Sequence, residues 1–150
     1  MYKRFFKRFF DILISFIGVL GFLVVFVVVA PIIHFTDGGP VFYNAERRGK
    51  DGKVFKMYKF RSMKVNSPDL RNADGSTYNG DNDPRVTKIG RILRKTSLDE
   101  VPQVLNIFLG DMSIVGPRPV LPTKALDPTD TERMKRFSVR PGLTGYSQAY

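Results

Sequence analysis

From Ile12 to Ile33 the chain carries no formal charge, and valine, phenylalanine, leucine and isoleucine dominate. No other feature restricts the fold as tightly. As a helix, Ile12–Ala30 alone would extend about 28 Å, close to the roughly 30 Å of a bilayer's hydrocarbon. The run is long for a cleavable signal peptide, and no small-x-small site follows it. Just before it, MYKRFFKRFFD interleaves Lys3, Arg4, Lys7 and Arg8 with Phe5, Phe6, Phe9 and Phe10. At helical pitch such a segment suits a membrane surface, rings at headgroup depth and cations on anionic lipid. The first 37 residues therefore read as a membrane-inserted anchor.

The charge balance complicates its topology. Lysines and arginines ahead of the segment favour a cytoplasmic N-terminus. The rest of the chain is also basic, and the whole carries a net charge of +10. A helix that crossed would put this basic part outside the cell. A re-entrant helix, entering and leaving on one face, resolves the conflict, with Gly18, Gly21 and Pro31 as candidate break points. His34 then falls at the exit as an interfacial residue. Such a charge points to an anionic partner: nucleic acid, phosphorylated metabolite or anionic lipid. With no cysteine and one histidine, disulfides, thiolate zinc sites and multi-histidine centres within one chain are excluded.

The chemistry centres on Thr96-Ser97-Leu98-Asp99-Glu100-Val101-Pro102-Gln103. Ser97-x-x-Glu100 reads as a capping box, which predicts a helix from Leu98 with Asp99 in its first turn. The helix dipole and the cations Lys88, Arg91, Arg94, Lys95 and Arg118 would favour an ionised Asp99. Such a carboxylate can attack phosphorus or ligate Mg²⁺, or it can simply stabilise a helix start.

Around this octet, Val41-Phe42-Tyr43 and Val54–Arg61 read as strands joined by a basic turn, Arg47–Lys53. Lys59 and Arg61, two apart, would share a face about 7 Å from each other, suited to two phosphoryl groups or merely solvated. Residues 66–83 form a long polar loop, and Asp81-Asn82-Asp83 within it is a turn or a weak metal element. Val86–Lys95 is a basic amphipathic helix, with Val86, Ile89, Ile92 and Leu93 on one side; lying on the membrane face is its simplest use. In Gly116-Pro117-Arg118-Pro119 two prolines limit how far a phosphate-binding guanidinium can wander, unless the turn is rigid for its own sake. Residues 123–136 read as a loop and a charged helix, and Arg140-Pro141 holds another arginine.

Taken in order, these motifs resemble the monotopic phosphoglycosyl transferases, or bacterial sugar transferases. The resemblance runs from Lys7-Arg8-x-x-Asp11 to the last residue. It includes Gly39-Pro40-Val41-Phe42, Tyr58-Lys59-Phe60-Arg61-Ser62-Met63, Asp83-Pro84-Arg85-Val86-Thr87, Thr96–Glu100, Gly110-Asp111-Met112-Ser113, Gly116–Pro119 and Arg140-Pro141-Gly142-Leu143-Thr144-Gly145. It implies an α+β, mainly helical fold: a re-entrant anchor over 1–37, and a catalytic domain over 38–150 with a β-hairpin and interfacial helices. It implies transfer of a sugar 1-phosphate from a UDP-sugar to polyprenol (undecaprenyl) phosphate, starting a surface glycan at the cytoplasmic face of a bacterial plasma membrane. Nucleic acid is not an expected partner. Asp99 would be the nucleophile and Glu100 its partner, binding Mg²⁺ or deprotonating the lipid phosphate, with Asp99 and Glu100 as the metal's candidate ligands. Lys59, Arg118 and Arg140 would bind phosphates, with Arg61 and Arg85 joining from their motifs. The family's mid-segment Ser-Pro has no counterpart at Leu23-Val24-Val25-Phe26; the proline comes late, in Ala30-Pro31. Family members usually continue past Gln148-Ala149-Tyr150, so the resemblance also implies a missing C-terminal part. The alternative is a non-catalytic, membrane-anchored scaffold or lipid-binding module.

Overall fold

The computed structural model describes residues 2–75, 78, 80, 82–122 and 126–145. One helix, α1 (Tyr2–Asp37), precedes a hairpin of β1 (Phe42–Arg48) and β2 (Val54–Phe60), then α2 (Lys88–Lys95) and α3 (Gln103–Leu109). Strand β3 (Ser113–Val115), helix α4 (Thr131–Lys135) and strand β4 (Gly142–Thr144) complete it, β3 and β4 pairing in parallel. The mixed helix-and-strand class agrees with expectation, and α1 makes helix the larger share.

Helix α1 does not break where a re-entrant shape requires. It runs unbroken for 36 residues, about 54 Å at helical rise, with Pro31 inside it. Gly18 serves packing instead: a Cβ there would meet the Val104 side chain of α3 at 3.2 Å. The helix buries a stripe at Asp11, Ser15, Phe22, Val29 and Ile33, a three-to-four-residue period, and so presents one face to the rest of the protein. The opposite face is bare: Phe5, Ile17, Val24, Val27 and Phe35 are all more than 60% exposed. An apolar face of that extent on a helix of membrane-spanning length and hydropathy suits insertion into lipid.

The inward stripe explains the hairpin's position. Phe22 and Phe26 of α1 meet Phe42 and Phe60, which pair across the strands with ring centroids 5.6 Å apart and planes 9° apart. Val29, Ile33 and Leu93 complete this core. A second core of Ala45, Met57, Ile107 and Met112 joins the hairpin to α3. Asn106, fully buried, closes that joint. Its amide oxygen accepts from Tyr58 N–H at 2.9 Å and its amide nitrogen donates to the Lys56 carbonyl at 2.8 Å, bonding the free edge of β2.

Strand β1 is longer than expected and absorbs Arg47 and Arg48; the turn is narrowed to Gly49–Lys53, where Asp51 and Gly52 take left-handed backbone. Strand β2 ends at Phe60, so Arg61 no longer alternates with Lys59. It lies buried beneath Gly39, where a Cβ would strike its guanidinium. The basic helix forms over Lys88–Lys95, capped by Thr87, whose hydroxyl accepts from Gly90 N–H at 2.9 Å. Of its expected apolar side, Leu93 is buried but Ile92 faces outward, 57% exposed. Asp130 caps α4 in the charged 123–136 region. Asp81 of the Asp-x-Asp element and the terminal Gln148-Ala149-Tyr150 lie outside the described residues.

Candidate active site

The Ser97–Glu100 capping box does not form. Ser97 takes a left-handed conformation (φ 57°, ψ 16°) and makes no side-chain cap; its N–H bonds the Arg94 carbonyl, ending α2. The chain then makes a three-residue 3-10 turn, Leu98–Glu100, held by bonds from Glu100 N–H to Ser97 and from Val101 N–H to Leu98. An α-helix starting at Leu98 would need a donor at Pro102, which has none. Helix α3 therefore starts only after the proline, at Gln103, with Pro102 at its cap position.

This placement changes the electrostatics of Asp99. It lies in the tight turn ahead of α3 and is only 8% exposed. Burial pushes its carboxyl above the ordinary aspartate value; Lys59 and Arg94 pull it down, and the neighbouring Glu100 adds to the rise. The expectation of a carboxylate favoured as the anion is thus corrected: desolvation outweighs the cations. Glu100 is more open and accepts from Lys59 Nζ at 2.7 Å. Half-exposed pairs of this kind contribute about 0–1 kcal/mol, so the bond's main effect is to place the ammonium.

Glu100 and Lys59 open into a cleft of about 260 Å³, whose walls also hold Arg47, Gln103, Arg118 and the backbone of Gly142. Pro117 and Pro119 flank Arg118, and the Pro117 carbonyl accepts from Gly142 N–H at 3.0 Å, so the arginine leaves a braced segment. Arg47 was not among the predicted phosphate ligands. On the paired hairpin Arg47 lies opposite Phe55, on the side that carries Ala45, Met57 and Lys59. Burial and the nearby Arg118 lower its pKa, with Tyr43 acting the other way. Two guanidiniums and an ammonium in one recess with a single lining carboxylate make a site for a multiply charged anion.

Of the predicted phosphate ligands, Lys59 and Arg118 reach this cleft; Arg61, Arg85 and Arg140 are not in its walls. Arg85 is clasped by buried Asp83, with Nε to Oδ1 at 2.9 Å and Nη2 to Oδ2 at 2.6 Å. Its remaining donors hold the Pro68 and Tyr78 carbonyls, which ties down the 66–83 loop. That clasp holds the Asp83 carboxyl down at about 2. Arg140 Nε donates to the Gly110 carbonyl at 2.7 Å. Arg94, bonded to Ser62 Oγ at 2.9 Å, is a further cation acting on Asp99.

No cluster of three metal-type side chains occurs among the described residues. Asp99 and Glu100, one of whose oxygens already accepts from Lys59, would offer Mg²⁺ only a partial set, of the kind that ion completes with substrate phosphates and water.

A helix long and apolar enough to cross a membrane is thus bonded to a small basic body, with Asp99 and Glu100 beside a recess lined by three cations. The chain belongs to the bacterial sugar transferase family, whose model matches residues 2–150. It is 42% identical to the exopolysaccharide production protein ExoY of Rhizobium meliloti, over 95% of this chain and 67% of that protein. It is 42% identical to the UDP-glucose:undecaprenyl-phosphate glucose-1-phosphate transferase of Escherichia coli, over 97% of this chain and 31% of that one. Identity is 38% to the undecaprenyl-phosphate galactose phosphotransferase of Salmonella typhimurium, over 97% and 33%. The chain thus spans about two thirds of the first relative and about one third of the other two.

Proposed function

We propose that this chain carries the catalytic residues of a transferase that moves a sugar 1-phosphate from a UDP-sugar to polyprenol phosphate, on the cytoplasmic face of the bacterial plasma membrane, with α1 lying along the rest of the protein from Asp11 to Ile33 rather than crossing away from it. The observation that carries the reading is a buried aspartate directly behind the cleft wall, next in the chain to Glu100, which lines the cleft together with three cations. A carboxylate oxygen of Asp99 attacks the sugar-linked phosphorus. The bond from that phosphorus to the bridging oxygen breaks, and UMP leaves with its electron pair. An oxygen of the lipid phosphate then attacks the same phosphorus, the bond to Asp99 breaks, and the carboxylate is regenerated with a lipid diphosphosugar as product.

Each side chain has a task within this scheme. Burial of Asp99 strips water from the nucleophile, while Lys59 and Arg94 offset part of the cost of its charge. Arg47, Arg118 and Lys59 take up the charge spreading over the diphosphate oxygens. Glu100 holds Lys59 and accepts the proton of the incoming lipid phosphate. Mg²⁺, held by Glu100 and Asp99 with substrate oxygens, would further neutralise phosphate charge.

The experiment is UMP release from a panel of UDP-sugars with polyprenol phosphate and Mg²⁺ present. Release by the wild type, and its loss in Asp99→Asn protein that still enters membranes, is the expected result. Equal release by both would remove Asp99 from the mechanism, and release by neither would favour the scaffold.

A further inference from the structure

Phosphosugar transfer gives no task to Lys7-Arg8-x-x-Asp11, yet these side chains are joined to positions about a hundred residues away. Arg8 Nη1 donates to the Ile107 carbonyl at 2.6 Å and Nη2 to the Phe108 carbonyl at 2.8 Å, at the end of α3. Asp11 is 4% exposed; its Oδ2 accepts from Ser113 Oγ at 2.8 Å and its Oδ1 from Ile114 N–H at 3.1 Å. Lys7 Nζ donates to the Val115 carbonyl at 2.9 Å. One turn of α1 therefore grips two separate elements, α3 and β3.

Those elements lead to different parts of the cleft lining. Helix α3 follows the Asp99–Glu100 turn and gives Gln103 to the lining. Strand β3 runs directly into the segment bearing Arg118, and it pairs with β4, whose Gly142 and Leu143 also line the cleft. We propose that Asp11 and Arg8 are positioning residues that set the spacing between the acidic and the Arg118 walls, making the membrane helix part of the site's framework.

The choice of side chain supports this. Hydrophobic packing alone would hold α1 to the protein, and burying a carboxylate costs free energy unless it is fully bonded. Asp11 ends the charged N-terminal stretch of α1, directly before the uncharged run, and it is bonded at both oxygens. A leucine there would leave the Ile114 N–H without its acceptor and free β3 to slide. Arg8 likewise satisfies two terminal carbonyls of α3, where a cation is favoured.

The activity arm of the test rests on the transferase reading; the distance arm does not. The chain has no cysteine, so spin labels at Lys95→Cys, beside the Asp99 turn, and Val139→Cys, beside the Arg118 wall, report the span in the membrane-reconstituted protein. Asp11→Ala, or Ser113→Ala should the first not fold, is expected to broaden or shift that distance while helix content stays as in the wild type. Asp11→Asn, which can still accept from Ile114 N–H and donate to Ser113, should restore it. With turnover, the KM for the UDP-sugar should rise about tenfold in Asp11→Ala, the ratio that about 1.4 kcal/mol represents, with a smaller change in kcat. An unmoved, narrow distance in Asp11→Ala overturns the proposal. So does an Asp11→Asn protein no better than Asp11→Ala, or broadening seen only together with general loss of helix. Label distances that behave as expected in a protein that releases no UMP would leave the positioning role standing and sink the transferase reading alone.

Discussion

Two buried aspartates of this protein lie near arginines, and their protonation is biased in opposite directions. Asp83 is clasped by Arg85 through paired hydrogen bonds, and its carboxyl is held at about 2. Asp99 has cations nearby, but burial prevails and its carboxyl is pushed up. The difference is one of completion. Asp83 and Arg85 satisfy each other and the loop carbonyls around them, so their charge is spent within the fold. Around Asp99 one cation, Lys59, is shared with the recess and the other, Arg94, is bonded to Ser62, so the aspartate's own charge is left poorly solvated. Groups of the first kind stabilise a structure, and groups of the second kind mark sites that act on something else.

Exchanging each aspartate for asparagine is the strongest way to break this comparison. Asp99→Asn should cut UMP release by about 10³-fold or more, the scale on which loss of a nucleophile is felt, without loss of folded protein. Asp83→Asn should do the reverse: a lowered melting temperature and a looser 66–83 loop under limited proteolysis, with kcat of the folded fraction retained. If Asp83→Asn abolished turnover at full stability, the division between the two would fail.

A smaller effect is expected at Lys59. Its bond to Glu100 is half exposed and contributes little to stability, yet it puts the ammonium in the cleft. Lys59→Ala should lower kcat/KM by about 10²-fold, on the scale of one electrostatic donor, and move the melting temperature by less than any core substitution. A large stability loss without a change in kcat/KM would recast Lys59 as structural.

The smallest effect is in stability against pH, and here the two aspartates should slope oppositely. Asp83 has a folded pKa below its unfolded value, so its contribution is present above about 4 and is lost as pH falls towards 2. Asp99 has a raised folded pKa. Protonation favours the fold, and the ionised form is a burden once pH exceeds that value. Without divalent cations, Asp99→Asn should therefore melt higher than the wild type at neutral pH, with the gain fading as pH falls into the ordinary carboxylate range. A melting temperature below the wild type's at neutral pH would mean the anion is well satisfied in the fold.

Much of the molecule was legible in the sequence, for local reasons. A charge-free run of membrane length can be recognised without knowing what it touches, and Asp99-Glu100 with Arg118 between prolines are local patterns. Contacts set by pairing were not. Arg47 joins the cleft only through the hairpin register that lays its strand along Met57 and Lys59. Arg85 reads as a free cation until the chain turns it back on Asp83 two residues away. Ser97 carries the sequence of a cap, but α2 ends there, and a left-handed residue was the stronger local demand. Gly18 likewise reads as a break point until Val104 of α3 is seen packed against it.

The central claim is that Asp99 becomes bonded to phosphorus during turnover. Intact-protein mass spectrometry of membrane-reconstituted protein, given a UDP-sugar it consumes but no lipid phosphate, tests this most directly. The predicted result is a wild-type adduct of one phosphosugar, mapped to Asp99, absent from Asp99→Asn and discharged when polyprenol phosphate is added. A preparation that releases UMP at full rate while never carrying the adduct would contradict it.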